Sequence, residues 1–335
     1  MRIAIAGAGL AGSYAFRLLK IAGGHEVDLY ERKHAIACGI HPCGFGVDES
    51  FNPLLEQVGL HPARYVIHEP PRRLAKVAGV RAESSVFMID KPRLIADLRP
   101  NTEVHYGSLN TEDYDLVIDA TGDARAYAPP LRHDLKARVV QWRLRVTDPA
   151  MLAFSPTNGV PGYGWVMPLN AGGSEVHVGA GCLQGLQVPS RKLAGAVLQS
   201  VQAGQMICAC GARIRLSGPD FAGLVHGNVW AVGEAAGLVG PASGAGNVYA
   251  MESALDLVKH LGDERGYVAA IKRHFHQLVP EAQAVRRVLL GKLPAPADFY
   301  HIRQGWNRAG VHVAWRDLPR LMLAMRHAFT AVSGD

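Results

Sequence analysis

The chain has 335 residues, of which 48% are hydrophobic and 19% charged, and its 35 Lys and Arg outnumber its 29 Asp and Glu for a formal charge of +6. This composition excludes an intrinsically disordered chain, which would be charge-rich and poor in apolar residues. The 37 glycines follow no three-residue period, which excludes a collagen-like helix. The basic residues form no run of five or more, so nucleic acid is not an expected partner.

The cysteine content and the apolar pattern predict a cytoplasmic protein with free thiols. The N-terminus lacks the basic region, apolar core and cleavage site of a secretory signal peptide. No stretch reaches the roughly 18 consecutive apolar residues that a membrane-spanning helix requires. The five cysteines have neither the density of a disulfide scaffold nor the spacing of a zinc site, so no metal site is predicted.

The first 30 residues predict a strand, a glycine-rich turn, a helix and a second strand. Residues 2–6 are a short apolar run that ends at Gly7, which is typical of a buried parallel strand. Residues 10–22 have helical spacing, and residues 26–30 have the composition of a strand. This order within about 30 residues is a βαβ unit.

The rest of the chain combines further parallel-strand signals with a strand-rich block. Antiparallel strands separated by turn residues are predicted from 137 to 188, and residues 266–335 are predicted to be mainly helical. The other predicted elements are helices at 51–59, 91–98, 190–204 and 247–262, and strands within 63–90 and at 103–107, 115–119 and 228–233.

These elements predict an α/β fold: a discontinuous Rossmann-like nucleotide-binding domain with an inserted antiparallel β-sheet and a helical C-terminal region. The parallel-strand signals lie on both sides of the antiparallel block, so the domains are interleaved along the chain. The predicted nucleotide-binding domain comprises 1–65, 91–130 and 225–265, the sheet domain 66–90 and 131–224, and the C-terminal region 266–335.

A GxGxxG motif follows the first strand directly. Gly7 permits the tight turn, Gly9 lets the backbone approach a pyrophosphate, and Gly12 lets the helix pack on the strand. Glu31 ends the second strand, where a carboxylate accepts hydrogen bonds from ribose hydroxyls. The dinucleotide-binding residues predicted here are Gly7, Gly9, Leu10, Ala11, Gly12, Glu31 and Arg32.

A second glycine-rich strand-to-helix turn, within residues 228–255, favours FAD over NAD. Glu234 ends the strand and is predicted to accept a bond from a ribitol hydroxyl. The N-terminus of the following helix is predicted to face the pyrimidine edge of a flavin, which gains negative charge on reduction. The predicted FAD-binding residues of this turn are Gly233, Glu234, Gly244, Ala245, Gly246 and Asn247.

Three further segments are predicted to reach the same cofactor. Thr121 and Gly122 follow a buried strand and allow a close approach. Cys43 and Gly44, in a glycine-rich loop after Glu31, must run near the cofactor, and glycine lets the backbone approach a flat ring. Arg93, in the predicted helix 91–98, completes the cofactor-binding set.

Together these segments resemble the p-hydroxybenzoate hydroxylase-type flavoprotein superfamily, and more closely the geranylgeranyl reductase family. The closer resemblance depends on Pro42-Cys43-Gly44, on the segment YGWVMP at 163–168 and on 233–254. It spans about 1–265. Glu234 stands where the family usually has Asp, and Met167 where it usually has Phe.

The resemblance implies an FAD-dependent oxidoreductase of lipid biosynthesis that saturates double bonds of isoprenoid, geranylgeranyl-type chains. In that family the YGWxFP-like strand lines the substrate cavity, so Trp165, Met167 and Pro168 are the predicted substrate residues. The implied electron donor is NAD(P)H or a ferredoxin-like protein, because the sequence contains no second GxGxxG motif for a nicotinamide domain.

Saturating an alkene requires a hydride from reduced flavin and a proton from another group. Cys43 and Tyr163 are the predicted catalytic residues, with His41 and Tyr249 as further candidate proton donors. The alternative for Cys43 is that it only fills space beside the cofactor.

Two other functions remain open at this point. A flavin monooxygenase of the p-hydroxybenzoate hydroxylase type would use the same fold and cofactor. An electron-transfer flavoprotein is the second alternative, although an inserted sheet would then have no substrate cavity to form.

Residues 299–329 mix tryptophans and apolar residues with five arginines. This mixture is typical of a helix that lies in a membrane interface, and it predicts peripheral membrane contact. The alternative is an amphipathic helix that packs on the protein itself.

Overall fold

The computed structural model describes residues 1–32, 43–131, 133–157, 162–184, 188–199, 201–290, 292 and 294–317. Its strands are β1 (Arg2–Ala6), β2 (Glu26–Glu31), β3 (Gly46–Val47), β4 (Val66–His68), β5 (Leu74–Val77), β6 (Val80–Ser84), β7 (Phe87–Ile89), β8 (His105–Tyr106), β9 (Leu116–Asp119), β10 (Lys136–Val146), β11 (Ala153–Pro156), β12 (Gly162–Pro168), β13 (Glu175–Leu183), β14 (Ala203–Arg215), β15 (Val225–His226), β16 (Val229–Ala231) and β17 (Val311–His312). Its helices are α1 (Leu10–Ala22), α2 (Phe51–Glu56), α3 (Lys91–Leu98), α4 (Ser190–Leu198), α5 (Asn247–Lys259), α6 (Glu264–Phe275), α7 (Leu278–Leu289) and α8 (Pro296–Arg308).

A six-stranded sheet has the order β15-β16-β9-β1-β2-β8, and all neighbours in it are parallel except β15 and β16. Its central strands are almost entirely apolar because helices cover both faces of a parallel sheet. Ile3 and Ile5 of β1 and Val117 of β9 are fully buried. The helix α1 returns the chain from β1 to β2 and packs against α5. The parallel strands predicted from the sequence are confirmed.

An eight-stranded sheet has the order β14-β10-β13-β12-β11-β5-β6-β17 and is antiparallel except between β11 and β5. Side chains alternate between its faces with a period of two. On β12, Val166 packs with α4 on one face, whereas Tyr163, Trp165 and Met167 lie on the other face beside Trp306 of α8. The antiparallel sheet predicted within the Rossmann-like fold is therefore present.

Segment 66–90 divides between two sheets. β5 and β6 join the eight-stranded sheet, whereas β4 and β7 pair with β3 in a separate three-stranded sheet. The domain boundaries drawn from the sequence stay a prediction.

Two predicted elements differ from the structure. The helix predicted at 190–204 ends at Leu198, and residues 203–215 form β14, which pairs with β10. The C-terminal region contains α6, α7 and α8 as expected, but β17 then pairs with β6. Residues 318–335 lie outside the described residues.

Within the described ranges, no helix combines the length and the apolar character needed to cross a membrane.

Candidate functional site

A cleft of about 690 Å³ lies where the two large sheets meet the C-terminal helices. One end is formed by the turns after β1, β9 and β16, and the other by the eight-stranded sheet together with α7 and α8. In an α/β sheet, ligands bind at the carboxyl ends of the parallel strands. The position of the cleft therefore matches the site expected from the topology.

The glycine-rich turn after β1 brings three backbone segments into close approach. Gly7 has a φ of +106°, and a Cβ on it would lie 2.4 Å from the Ala120 carbonyl oxygen. A Cβ on Gly12 would lie 1.8 Å from the Gly7 carbonyl oxygen, so Gly12 lets α1 pack on the turn. A Cβ on Gly9 would meet nothing within 4 Å, which leaves open space at the start of α1. Gly7 and Gly12 thus allow close packing, and Gly7 and Gly9 both line the cleft.

The Glu31 carboxylate lies at the end of β2 beside this turn. Its Oε2 accepts a hydrogen bond from the Ala8 backbone N–H at 2.9 Å. Leu10, Ala11 and Arg32 line the cleft with it. A carboxylate at this position lies within reach of a ligand bound along the turn, as the sequence predicts.

A second helix N-terminus opens on the same cleft. Gly246 caps α5 without a side-chain hydrogen bond, which leaves the first backbone N–H groups available. Gly244, Ala245, Gly246 and Asn247 all line the cleft. A helix N-terminus attracts negative charge, and here two of them face one cavity.

Glu234 lies on the wall between the two helix ends. Its Oε1 accepts the Arg215 backbone N–H at 2.8 Å. Burial raises the pKa of this carboxyl to about 7, and the nearby Asp123 adds to the shift. Glu234 is therefore more readily protonated than an exposed carboxylate.

Gly233, predicted to bind the cofactor, is absent from the residues that line the cleft. Its backbone N–H donates to Ser253 Oγ at 2.9 Å. A Cβ on Gly233 would lie 3.2 Å from the Ala11 Cβ, so this glycine allows the turn after β16 to pack against α1. Packing accounts for the small residue here, and its cofactor-binding role stays a prediction.

Thr121 and Gly122 line the cleft after β9. The Thr121 hydroxyl donates to Asp119 Oδ1 at 2.6 Å. Asp119 is fully buried and also accepts the backbone N–H groups of Tyr127 and Ala128. The buried carboxylate thereby fixes the loop that carries Thr121.

Cys43 lies in the segment that precedes β3, where this segment meets the N-termini of α3 and α5. The Lys91 ammonium donates to its Sγ at 3.4 Å, and the Phe45 backbone N–H does so at 3.4 Å. The Asn247 side-chain amide lies 3.5 Å from the same sulfur. Burial acts to raise the pKa of this thiol, but the Lys91 charge and the hydrogen bonds outweigh it and lower the pKa below its ordinary value. His41 and Pro42, singled out from the sequence, lie outside the described residues.

Arg93, predicted to bind the cofactor, is exposed and absent from the cleft lining. Its guanidinium donates to the Arg64 carbonyl oxygen at 3.4 Å and lies 4.0 Å from Asp97. Successive helix residues are rotated by about 100°, so Lys91 at the start of α3 faces the cleft while Arg93 points away. The structure thus brings Lys91 rather than Arg93 to the cleft, and the cofactor-binding role of Arg93 stays a prediction.

The three predicted substrate residues divide between the two faces of β12. Trp165 and Met167 line the cleft. A Cβ on Gly44 would lie 1.7 Å from Met167 Sδ, so the Cys43 loop packs directly on this strand. Pro168, one residue further along, lies on the opposite face and is absent from the cleft lining, so its predicted substrate role stays a prediction.

The other end of the cleft is an aromatic chamber. The ring centroids of Phe154 and Trp306 are 5.0 Å apart, and those of Tyr163 and Trp306 are 5.4 Å apart, both edge to face. The helices α7 and α8 add apolar residues to this wall: Val285, Val288, Phe299 and Ile302. The chamber can hold an apolar group and exclude water from it.

Two side chains hold the loop that precedes α5. Tyr163 donates its hydroxyl proton to the Ser243 carbonyl oxygen, and burial raises the Tyr163 pKa well above its usual range. From the other side, the fully buried Glu281 accepts the Ala242 backbone N–H at 2.9 Å and pairs with Arg308. Tyr163 thus supports the loop, and its catalytic role stays a prediction.

Gln141 and Lys91 are site residues that sequence reasoning missed. Gln141 accepts the indole N–H of Trp165 at 3.1 Å and donates to the Cys43 carbonyl oxygen at 3.2 Å. It is almost fully buried. A glutamine at an inward-facing position of an otherwise apolar strand indicates a buried hydrogen-bond partner.

Comparisons with known proteins agree with this geometry at the level of the fold. A geranylgeranyl bacteriochlorophyll reductase-like protein from Thermoplasma acidophilum has a similar structure, with a TM-score of 0.69, 16% identity and coverage of 99% of this chain and 97% of that one. A flavoprotein/dehydrogenase from Cytophaga hutchinsonii has a TM-score of 0.64, 14% identity and coverage of 99% and 98%. The HpxO protein of Klebsiella pneumoniae, solved with FAD, has a TM-score of 0.63, 16% identity and coverage of 98% and 99%.

This chain has the fold of these three proteins. The likeness extends over nearly the whole of each structure and includes the protein family that the sequence resembles. In sequence, the chain is 25% identical over 364 residues to an uncharacterized protein of Methanocaldococcus jannaschii, covering 90% of this chain and 96% of that protein. No protein-family model matches the chain.

The hydrogen bond from the Tyr163 hydroxyl to the Ser243 carbonyl oxygen is expected to stabilise the folded protein. Tyr163→Phe leaves the Ser243 carbonyl without its donor and should lower the free energy of unfolding by about 1–2 kcal/mol. Hydrogen exchange in residues 240–246 should accelerate, because the loop loses one of its two supports. Both effects are measured by urea unfolding and by exchange mass spectrometry.

Tyr106→Phe is the matched control, since the Tyr106 side chain is 63% exposed on β8. It should change neither quantity. Equal exchange rates at 240–246 in wild type and Tyr163→Phe would contradict the supporting role.

Proposed function

We propose that the protein is an FAD-dependent oxidoreductase that reduces carbon–carbon double bonds of isoprenoid chains. The observation that carries the proposal is the continuity of one cleft. Two helix N-termini and several carboxylates, Glu31 and Glu234 among them, surround one end, and an aromatic chamber forms the other. A dinucleotide and an apolar chain held in this cleft would meet near Cys43.

The residues at the polar end fit FAD. The open space at Gly9 leaves room for a pyrophosphate at the α1 N-terminus, and Glu31 lies where a ribose would be bound. Glu234 and the α5 N-terminus would hold the remainder of the molecule. When bound and reduced, FAD supplies a hydride to the substrate.

The chain's own residues would then orient the substrate and supply a proton. Trp165 and Trp306 would hold an apolar chain and exclude water. Cys43 would give its thiol proton to the second alkene carbon, since its sulfur lies at the junction of the two ends beside Lys91 and Asn247. NAD(P)H or a ferredoxin-like protein is the proposed electron donor.

A monooxygenase is the second candidate function. It is favoured by the fold likeness to a probable FAD-dependent monooxygenase from Pseudomonas aeruginosa, with a TM-score of 0.59, 15% identity and coverage of 90% and 99%. Such an enzyme would use oxygen as a substrate, which gives a direct way to distinguish the two.

The proposed FAD site predicts the effect of a charge at Gly9. Gly9→Glu places a carboxylate in the space proposed for the pyrophosphate. The negative charge of this carboxylate should repel the pyrophosphate and abolish flavin retention. The readout is the ratio of visible flavin absorbance to protein absorbance after purification. Gly172→Glu makes the same substitution in an exposed turn with nothing within 4 Å and should retain flavin. Equal flavin content in the two variants would exclude this site.

The proposed reaction predicts oxygen-independent oxidation of the reduced enzyme. Under anaerobic conditions, a prenylated lipid should reoxidise the bound flavin and gain two hydrogens per double bond, as measured by absorbance and mass spectrometry. Cys43→Ala should slow this step at least about tenfold because the proton donor is removed. Reoxidation that requires oxygen and yields a hydroxylated product would establish the monooxygenase instead.

Peripheral membrane contact is a further part of the proposal. Tyr300 and Trp315 are 48% and 55% exposed, and their rings stack with centroids 6.4 Å apart. The Arg303 guanidinium lies 4.5 Å from the Trp315 ring centroid, and Arg303 also lines the cleft. An exposed aromatic pair beside a cation suits a lipid headgroup region.

Replacing both Tyr300 and Trp315 by Ser should therefore weaken sedimentation with anionic phospholipid vesicles, by at least about threefold in the bound fraction at limiting lipid. The double replacement of Met206 and Ile207 by Ser, exposed apolar residues of β14, is the control and should bind as wild type does. Unchanged binding of the aromatic double variant would refute the contact.

A further inference from the structure

The Cys43 sulfur receives donors from three different parts of the fold. Lys91 begins α3, Asn247 begins α5, and the Phe45 N–H belongs to the loop itself. A neutral thiol is a weak acceptor with one proton to give, whereas a thiolate accepts several donors at once. The thiol proton has one acceptor within reach, the Asn247 Oδ1 at 3.7 Å, whereas three donors, one of them charged, point at the sulfur and favour its anion.

The donors are themselves held in place. Lys91 Nζ donates to Asn247 Oδ1 at 2.9 Å, which turns the amide nitrogen of Asn247 toward Cys43 and toward the Gly46 carbonyl oxygen at 3.0 Å. Gln141 binds the Cys43 carbonyl oxygen from the eight-stranded sheet. The sulfur is thus fixed relative to α3, α5 and β10.

Among the residues that the structure describes around this thiol, one charged group shifts its pKa. Lys91 is that group, and its effect is to favour the anion. His177 of β13 contacts the Cys43 backbone, but burial, together with Arg143, lowers its pKa to about 4, so the ring is neutral near neutral pH. Asn247 and Gln141 carry no charge.

We propose that Lys91 is the positioning residue that, with Asn247, stabilises the Cys43 thiolate left after each proton transfer. This proposal rests on the proposed function. In that reaction the Cys43 S–H bond breaks, its proton joins the second alkene carbon, and the bonding pair remains on sulfur. The first carbon receives the hydride, so the double bond gains one hydride and one proton. The Lys91 ammonium offsets the charge on sulfur until solvent returns the proton.

The test measures the thiol directly, on the protein as purified. The rate of Cys43 alkylation by iodoacetamide is followed across pH by peptide mass spectrometry, which separates Cys43 from the other four cysteines. Lys91→Met should slow alkylation near neutral pH at least about fivefold and move the midpoint of the pH profile upward, because only the thiolate reacts. Lys91→Arg should restore the wild-type profile in large part.

Arg93→Met is the matched control, because it removes the same charge from the same helix at an exposed position away from the cleft. It should alkylate as wild type does. An unshifted midpoint in Lys91→Met, or an equal shift in Arg93→Met, would overturn the proposal.

A second readout covers the case in which the reagent fails to reach the sulfur. The ultraviolet absorbance of the Cys43 thiolate is measured across pH as the difference between wild type and Cys43→Ala. The same difference is then measured between Lys91→Met and the Lys91→Met, Cys43→Ala double variant, and its midpoint should lie at higher pH. The flavin content of each preparation is recorded alongside. If the protein binds no flavin but Lys91→Met still shifts the thiol midpoint, the proposed function alone is rejected. If the protein binds flavin but Lys91→Met leaves the midpoint unshifted, the proposed role of Lys91 alone is rejected.

Discussion

The close approach of backbone at Gly7 and Gly12 is the constraint on which the rest of the structure depends. With no Cβ at either position, α1 starts against the end of β1 while the loop after β9 passes directly over the turn. Gly233 extends the same contact to the turn after β16. Three strand ends and two helix N-termini are thereby drawn around one cavity, and larger side chains at these positions would push them apart.

The parts of this arrangement that follow local rules were predictable from the sequence. The βαβ unit, the glycine turn with Glu31, and α3 with its bounds at 91–98 each depend on residues close together in the chain. The open position of Gly9 also follows from the motif. Periodicity likewise indicated the antiparallel sheet, although it placed a helix where β14 begins.

The parts that depend on long-range contacts were not predictable. Arg93 and Lys91 are equally basic, and only the rotation of α3 against α5 decides which one reaches Cys43. Side chains alternate between the two faces of β12, so Pro168 and Trp165 lie on opposite faces. A linear sequence motif does not show which residues share a face. Gly233 resembled a ligand-binding glycine, but its neighbour Ala11 lies more than 200 positions away in the sequence.

Because β17 pairs with β6, one edge of the eight-stranded sheet is completed only late in synthesis. Val311 lies opposite Ser84, and the Ser85 N–H donates to the Gly310 carbonyl oxygen at 2.8 Å. During translation, β6 leaves the ribosome some tens of seconds before its partner at ordinary elongation rates. Over that interval the apolar face that carries Phe154 and Trp165 has no α8 to cover it. The nascent chain therefore exposes this apolar surface until α8 emerges, and transiently exposed apolar surface of this kind promotes aggregation.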